Sequence, residues 1–435
     1  MDKQKLALVV FVLCIGILLR LHNYDIYPQR GATSDEYSYS FLGVSLLTTG
    51  IPVSWSYFPA YEHLTHLTIR NLYLPIVYPY FDHPPFNGIV VGAWAILSGE
   101  DSFEKIQLRT IRIVPIVLST ISSLFVFLLG QRLYGFKTAL WALLIYSTTT
   151  IFVIQGRVVL AENLLTTLLL VAIYIFSQFS KTMTTKKTLI LGILAGLSFW
   201  TKELGIVTFA SLLYLFAAEK IKRRYILAFI ATSLVIILGY IVYGSYYDFD
   251  LFWKIVTAQA ERNVGPETLL YILSSPIIVN KFYYDGWYFF GFIAFFIAFL
   301  SYRKHTLLLV PSGIYFLLLL FFLAQKGEMG WYLIPLFPFM ALFSAKVLVE
   351  CVREWGWGIF LLCIFVGLYC IEYIYKANFG LTPFQFRLMM IALFLPLALA
   401  VVFRKKGLYS LLSHFWFYLF IAFNIYLTYT YIHPA

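Results

Sequence analysis

Charge is scarce in this sequence. Only 12% of its 435 residues are Asp, Glu, Lys or Arg, about half the share typical of a water-soluble domain. Meanwhile 61% are hydrophobic, 20% are aromatic, and the mean hydropathy is +0.82. Water would not tolerate that surface, so these values exclude a soluble globular domain and define a polytopic membrane protein. Acidic residues are scarcer than basic ones, 21 against 32, leaving a net charge of +11. The basic residues sit in short loops between apolar runs, so the excess does not describe a nucleic-acid-binding face. Cysteine is rare too: Cys14, Cys351, Cys363 and Cys370 lie in or beside apolar segments. No C-x-x-C or pairing pattern occurs, which excludes a disulfide framework and gives no zinc site. An A-x-A-like cleavage site is also missing after the first apolar run, where Arg20 and His22 follow. That run reads as a retained span and not as a signal peptide.

What is present is a series of apolar stretches. A bilayer-crossing helix needs roughly 17–25 apolar residues. Stretches at 6–21, 111–129, 138–154, 159–176, 189–200, 205–217, 226–243, 287–300, 307–324, 331–349, 359–375, 388–403 and 411–431 predict about 13 transmembrane helices. The expected fold is therefore an all-α polytopic membrane protein forming a single domain over 1–435. A long loop, 22–108, follows the first span, and a second covers 244–286. Within the first loop, 37–49 and 86–97 are half-hydrophobic and too short to cross, and read as helices lying in the interface. Gly50 and Pro52 end the first of these; Pro84 and Pro85 start the second. Spans five and six are short and meet at Trp200-Thr201-Lys202-Glu203. Either the apex of that hairpin dips towards an aqueous cavity, or the pair is simply tilted.

Loop charges orient the bundle. With the N-terminus inside, the inner segments hold Lys3, Lys5, Arg132, Lys137, Lys181, Lys186, Lys187, Lys220, Lys222, Arg223 and Arg224. Arg303, Lys304, Lys346, Arg353, Arg404, Lys405 and Lys406 continue the series. Every inner loop is basic, which predicts a cytoplasmic N-terminus in a multi-pass protein of the plasma membrane. Asp35, Glu36 and Asp82 then lie on the extracytoplasmic side.

The outer loop carries the most concentrated polar signal, GATSDEYSYS at 31–40. Thr33 and Glu36 have capping-box spacing, which makes this a helix start with Asp35 in the first turn. A well-capped helix is the plain reading, and a catalytic pair is the other. Basic residues near membrane level are few: Arg109, Arg112, Arg157, Lys202 and Lys326. An ionisable group at bilayer depth costs roughly 2.5–3.5 kcal/mol on insertion scales, so each needs a partner, a wet cavity or a route to the headgroups. Arg157 and Glu162 point about 140° apart on a helix, so each requires its own partner. Glu62, His63 and His66, with Asp82 and His83, match no specific zinc signature. No metal or other cofactor is indicated. At its plainest, Asp82 before His83-Pro84-Pro85 caps a helix started by proline. Acids and bases gathered at one face of a membrane protein suggest handling of a phosphorylated lipid, by an enzyme or by a transporter.

At these residues the chain resembles the GT-C superfamily of polyprenyl-phosphate-sugar-dependent glycosyltransferases, on the branch of the protein O-mannosyltransferases and the aminoarabinose transferase. The Asp35-Glu36 pair matches the superfamily's diacidic motif, and Phe81-Asp82-His83-Pro84-Pro85-Phe86 its D-x-H-P-P-L stretch in tighter form. Arg112-Ile113-Val114-Pro115, Gln131-Arg132-Leu133-Tyr134-Gly135, Thr201-Lys202 and the span from Gly330 through Tyr332 to Pro338 follow in the expected order. Glu203 stands where glycine is common, and there is neither a β-trefoil insert nor a WWDYG motif. The resemblance implies transfer of one sugar, with inversion, from a polyprenyl-phosphate donor to a hydroxyl of a protein, lipid or glycan. Asp35 would be the general base beside Glu36. Arg112, assisted by Lys202 or Lys326, would neutralise the departing phosphate. Asp82, His83, Arg157, Glu162 and Tyr332 would complete the substrate site, with membrane lipids around it and no nucleic acid. A flippase for a lipid-linked sugar is the competing reading; it predicts internal repeats and midplane charge, and neither is found.

The topology is directly testable. Cysteines introduced at Ser40 and at Lys187 of a cysteine-free variant should label from opposite sides of sealed vesicles. Labelling from one side would overturn the orientation.

Overall fold

The computed structural model of the chain describes residues 2–33, 35–69, 71–261, 267–274, 277–279, 281–301, 305–322, 330–354, 358–367 and 380–432. Helix α1 (Lys3–Leu21) is followed by the loop region, which holds α2 (Asp35–Thr49), strands β1 (Ser54–Trp55), β2 (His63–Ile69) and β3 (Leu72–Val77), and α3 (Phe86–Leu97). Then come α4 (Leu108–Ile111), α5 (Ile113–Tyr134), α6 (Phe136–Thr148), α7 (Thr150–Gln155), α8 (Ala161–Phe179), α9 (Thr185–Thr201) and α10 (Ile206–Ala218). After α11 (Arg223–Tyr247) and α12 (Phe249–Ala260) follow α13 (Glu267–Ser274), β4 (Ile277–Ile278), β5 (Lys281–Phe282), α14 (Gly286–Ser301) and α15 (Thr306–Phe322). The C-terminal part holds a 3₁₀ segment (Gly330–Leu336), α16 (Phe337–Glu354), α17 (Gly358–Leu362), α18 (Pro383–Val402) and α19 (Lys406–Thr430).

Each predicted span carries a helix among the described residues, yet only seven segments there are long and apolar enough by themselves to cross a membrane. Among them are Lys3–Leu21, Ala161–Thr182 and Arg223–Tyr247. Other predicted spans are interrupted or short. The third breaks at Thr149, whose extended backbone (φ −62°, ψ 124°) separates α6 from α7. The hairpin of spans five and six breaks at Lys202 (φ −163°, ψ 148°).

The loop between α1 and α5 departs from an all-helical expectation. β1, β3 and β2 form an antiparallel sheet in that order, with Leu67 opposite Leu74 and His66 opposite Pro75. Asn71, at φ +73°, turns the hairpin, a left-handed position that a short amide side chain tolerates. His66 stacks on Tyr73 across the strands, with centroids 4.7 Å apart. The expected interfacial helices also differ in environment. Every residue of α2 from Glu36 to Ser45 is buried, so this helix is enclosed on all sides and has no single apolar face. Gly50 (φ +72°) ends it at Thr49, as a left-handed glycine commonly does.

Close approach to α3 produces that enclosure. A Cβ on Gly43 would lie 1.8 Å from the Gly88 carbonyl oxygen, and one on Gly92 would lie 2.3 Å from the Gly43 carbonyl carbon. Small residues let two backbones touch where lipid offers no hydrophobic drive. Gly43→Ala should therefore force the helices apart and destabilise the protein by about 1–3 kcal/mol. Gly407→Ala is the control, since a Cβ there meets nothing within 4 Å. Thermal unfolding in detergent compares the two; equal midpoints would disprove the contact.

Candidate active site

Glu36 opens the site from α2. Its Oε1 accepts from Arg112 Nε at 2.8 Å, its Oε2 from Arg112 Nη2 at 2.7 Å, and the Val159 amide donates to Oε1 at 3.1 Å. Arg112 Nη1 donates to the Tyr24 carbonyl at 2.7 Å. The two side chains are 1% and 0% exposed. Two sequence expectations change here. Glu36 does not close a capping box: it is bound to Arg112, while Thr33 Oγ1 accepts from the Asp35 amide at 3.2 Å. Nor does Arg112 face the cavity that Lys202 lines: it is fully buried and turned onto Glu36 and the Tyr24 carbonyl.

Arg157 is buried as well. It is 1% exposed and donates to the Tyr27 and Leu19 carbonyls at 3.3 and 2.8 Å, while its Nε has no hydrogen-bond partner among the described residues; it does not reach the headgroups. Arg20, which sequence reading took only as a flanking charge, is buried beside it on α1. It donates to the Gly16 carbonyl at 3.1 Å and lies 5.8 Å from the Tyr146 ring centroid. Asp82 does not cap α3, whose N-cap is Pro85 without a side-chain hydrogen bond. Instead Asp82 Oδ1 accepts from the Tyr61 hydroxyl at 2.8 Å. Burial, and then the Asp82 charge, raise the Tyr61 phenol well above its ordinary range.

A second buried pair has a different character. Lys202 Nζ donates to Glu162 Oε1, and the side chains are 6% and 1% exposed. Glu162 Oε2 has no hydrogen-bond partner among the described residues. The ammonium sits 3.8 Å from the Tyr332 ring centroid, a cation–π contact that desolvation strengthens. Unlike Arg112, Lys202 opens onto a cavity of about 250 Å³. His83, Lys202, Glu203, Gln259 and Tyr332 form its polar lining; Leu204, Ile206, Val256, Ala260, Leu318 and Phe322 form an apolar wall.

The extended backbone at Lys202 delivers this residue where α9 stops and the 3₁₀ turn Glu203–Gly205 begins. His83 stacks on Tyr39 with centroids 4.9 Å apart. Tyr39 also marks the position of Asp35, which is partly exposed one turn earlier on α2. Burial raises the Tyr39 phenol well above its usual range, and the charges of Glu162, Asp35 and Glu203 add to the shift. His83, Lys202, Glu203 and Tyr332 thus line one cavity, and Glu162 is bound to Lys202 beside it; Asp35, Glu36, Asp82, Arg112 and Arg157 are not in its lining. Lys326 lies outside the described residues. Gln259 carried no sequence signal, while Glu203 was visible only as a departure from glycine. Among the described residues, no group of three or more His, Cys, Asp or Glu could hold a metal ion.

Lys202 is thus a cation in a cavity with many apolar lining residues. Residues 82–243 match the family described as dolichyl-phosphate-mannose-protein mannosyltransferase. The whole fold is similar to that of ArnT from Cupriavidus metallidurans bound to undecaprenyl phosphate, at 13% identity and a TM-score of 0.57, covering 98% of this chain and 78% of that one. It is also similar to the oligosaccharyltransferase of Archaeoglobus fulgidus in the apo form, at 13% identity and a TM-score of 0.51. That match covers 95% of this chain and spans 56% of the archaeal one. Among curated proteins, none matches by sequence. The family match covers residues 82–243, and the likeness to the solved structures is one of fold.

The Glu36–Arg112 pair can be measured. Removing one partner of a buried, hydrogen-bonded ion pair leaves the other uncompensated, so Glu36→Gln and Arg112→Met should each destabilise by about 3–5 kcal/mol. The double variant should lose clearly less than the sum. Additive losses in denaturant titrations would show that the two side chains do not depend on one another.

Proposed function

We propose that this protein transfers a single sugar from a polyprenyl-phosphate donor to a hydroxyl acceptor at the extracytoplasmic face of the plasma membrane, with inversion at the anomeric carbon. The observation that carries this reading is the cavity itself. A cationic Lys202 stands over Tyr332 and shares the lining with the apolar side chains of Leu318, Phe322 and Ile206. A lipid phosphate has the complementary make-up, one anionic group on an apolar chain. Lys202 replaces Arg112 as the residue assigned to the phosphate.

Asp35 acts as the general base. The acceptor oxygen attacks the anomeric carbon as its proton passes to Asp35. The bond from that carbon to the phosphate oxygen breaks, and its electron pair leaves with the polyprenyl phosphate. Lys202 stabilises the charge that develops on the leaving oxygen, in a setting where water is largely excluded and a fixed cation is correspondingly effective. Glu162 holds the ammonium in place, and the basic inner loops orient the bundle with its N-terminus in the cytoplasm. The acceptor is a protein, a lipid or a glycan.

Glu36 and Asp35 should separate cleanly by experiment. Asp35→Asn should lower the single-turnover transfer rate by about 10²–10⁴-fold, the usual worth of a general base, with donor binding and thermal stability near those of the wild type. Glu36→Gln should instead lose stability. Full activity in a folded Asp35→Asn protein would assign the base to another group.

A further inference from the structure

Beside Lys202, assigned to the phosphate in this reading, Glu203 and Gln259 line the same cavity. Glu203 follows Lys202 directly and lines the cavity with it. Its backbone is held in place. The Gly205 amide donates to the Lys202 carbonyl at 2.7 Å, and a Cβ on Gly205 would lie 1.9 Å from the Ser198 carbonyl oxygen. Only glycine lets α9 and the following turn approach so closely, so the Glu203 side chain is presented beside the lysine in a fixed register.

Gln259, from the last turn of α12, lines the same cavity. Its Nε2 donates to the Asp82 carbonyl, which assigns its Oε1 as an acceptor. A carboxylate and an amide oxygen cannot hydrogen-bond a phosphate diester, which itself offers only acceptors. The carboxylate also repels it. Both groups are suited to hydroxyl donors, and a carboxylate is among the stronger acceptors for them. The apolar residues of the lining cannot supply such contacts.

We propose that Glu203 and Gln259 form the subsite that reads hydroxyls on the donor's sugar, and that this sugar is a neutral hydroxylated one and not a uronic acid. The inference rests on the lipid-phosphate reading of Lys202 and adds the part of the donor that Lys202 does not touch. A uronic acid would bring a second carboxylate against Glu203 in surroundings of low dielectric, where like charges repel strongly.

The test compares three probes on the full-length protein in nanodiscs: a short polyprenyl phosphate, the same lipid phosphate bearing a neutral hexose, and the same bearing a hexuronic acid. Wild type should bind the hexose form more tightly than the hexuronate form. Glu203→Gln should leave the affinity for the bare lipid phosphate unchanged or higher. It should weaken the hexose form about tenfold, the low end of a charge-assisted hydrogen bond, and narrow the gap to the hexuronate. Gln259→Leu should show the same selective loss. An unchanged hexose affinity in both variants, or equal losses for bare and sugar-bearing probes, would overturn the subsite. Lys202→Met tests the underlying reading separately, because it should weaken all three probes. If it leaves the bare lipid phosphate bound as before while Glu203→Gln behaves as expected, the phosphate assignment falls and the sugar subsite stands.

Discussion

A carboxylate and a guanidinium with almost no solvent contact have to satisfy each other, and the Glu36–Arg112 pair imposes that demand on everything around it. Both Glu36 oxygens and all three Arg112 nitrogens are engaged. These bonds tie the head of α2 to the joint between α4 and α5, to Tyr24 beyond the end of α1, and to Val159 just before α8. Four parts of the chain separated by long stretches of sequence thereby meet at one point. Position follows from that. Neighbouring residues on a helix lie about 100° apart, so a Glu36 locked on Arg112 turns Asp35 away from the pair, towards the region where its charge reaches Tyr39.

The two buried ion pairs differ in what each cation faces. A guanidinium held by Glu36 and the Tyr24 carbonyl is a structural tie, and its planar geometry suits it to that role. An ammonium is a compact charge with three donors on a flexible stem. Lys202 gives a hydrogen bond to Glu162, rests against the face of Tyr332 and still lines a cavity. Arg112 does not line that cavity. Burial alone does not distinguish a ligand from a brace; access to a cavity does.

That access is also what could not be seen in the sequence. Hydropathy made the helical stretches legible, because spans of a bilayer are read from composition over many residues at once. The diacidic motif, Arg112, Glu162, Lys202 and Tyr332 were legible as rare polar groups in an apolar chain. Their pairing was not. Glu36 meets Arg112 across 76 positions and Glu162 meets Lys202 across 40, and no local periodicity encodes contacts at that range. The small sheet was missed for a related reason. Its strands are short, and only their pairing with one another makes β1 a strand at all. Gln259 was invisible because a lone glutamine on an amphipathic helix has many ordinary uses, and only its place in the cavity gives it a particular one.

Seven of the thirteen predicted spans coincide with described segments long and apolar enough to cross a membrane, and others are short or broken. Backbone at membrane depth can leave the helical state only where protein or a cavity covers its exposed groups. One break lies at Lys202, between α9 and α10, and another at the 3₁₀ segment that carries Tyr332 ahead of α16. Both lie against the same cavity, and each presents a polar side chain to it. Continuous helices would have satisfied every carbonyl more simply, but a helical register would also have fixed where those side chains could point. The chain gives up regular hydrogen bonding where an extended residue or a tighter turn brings a lysine, a glutamate and a tyrosine onto one small space. Irregular backbone there is a condition of the site, and the short apparent spans are its trace in the sequence.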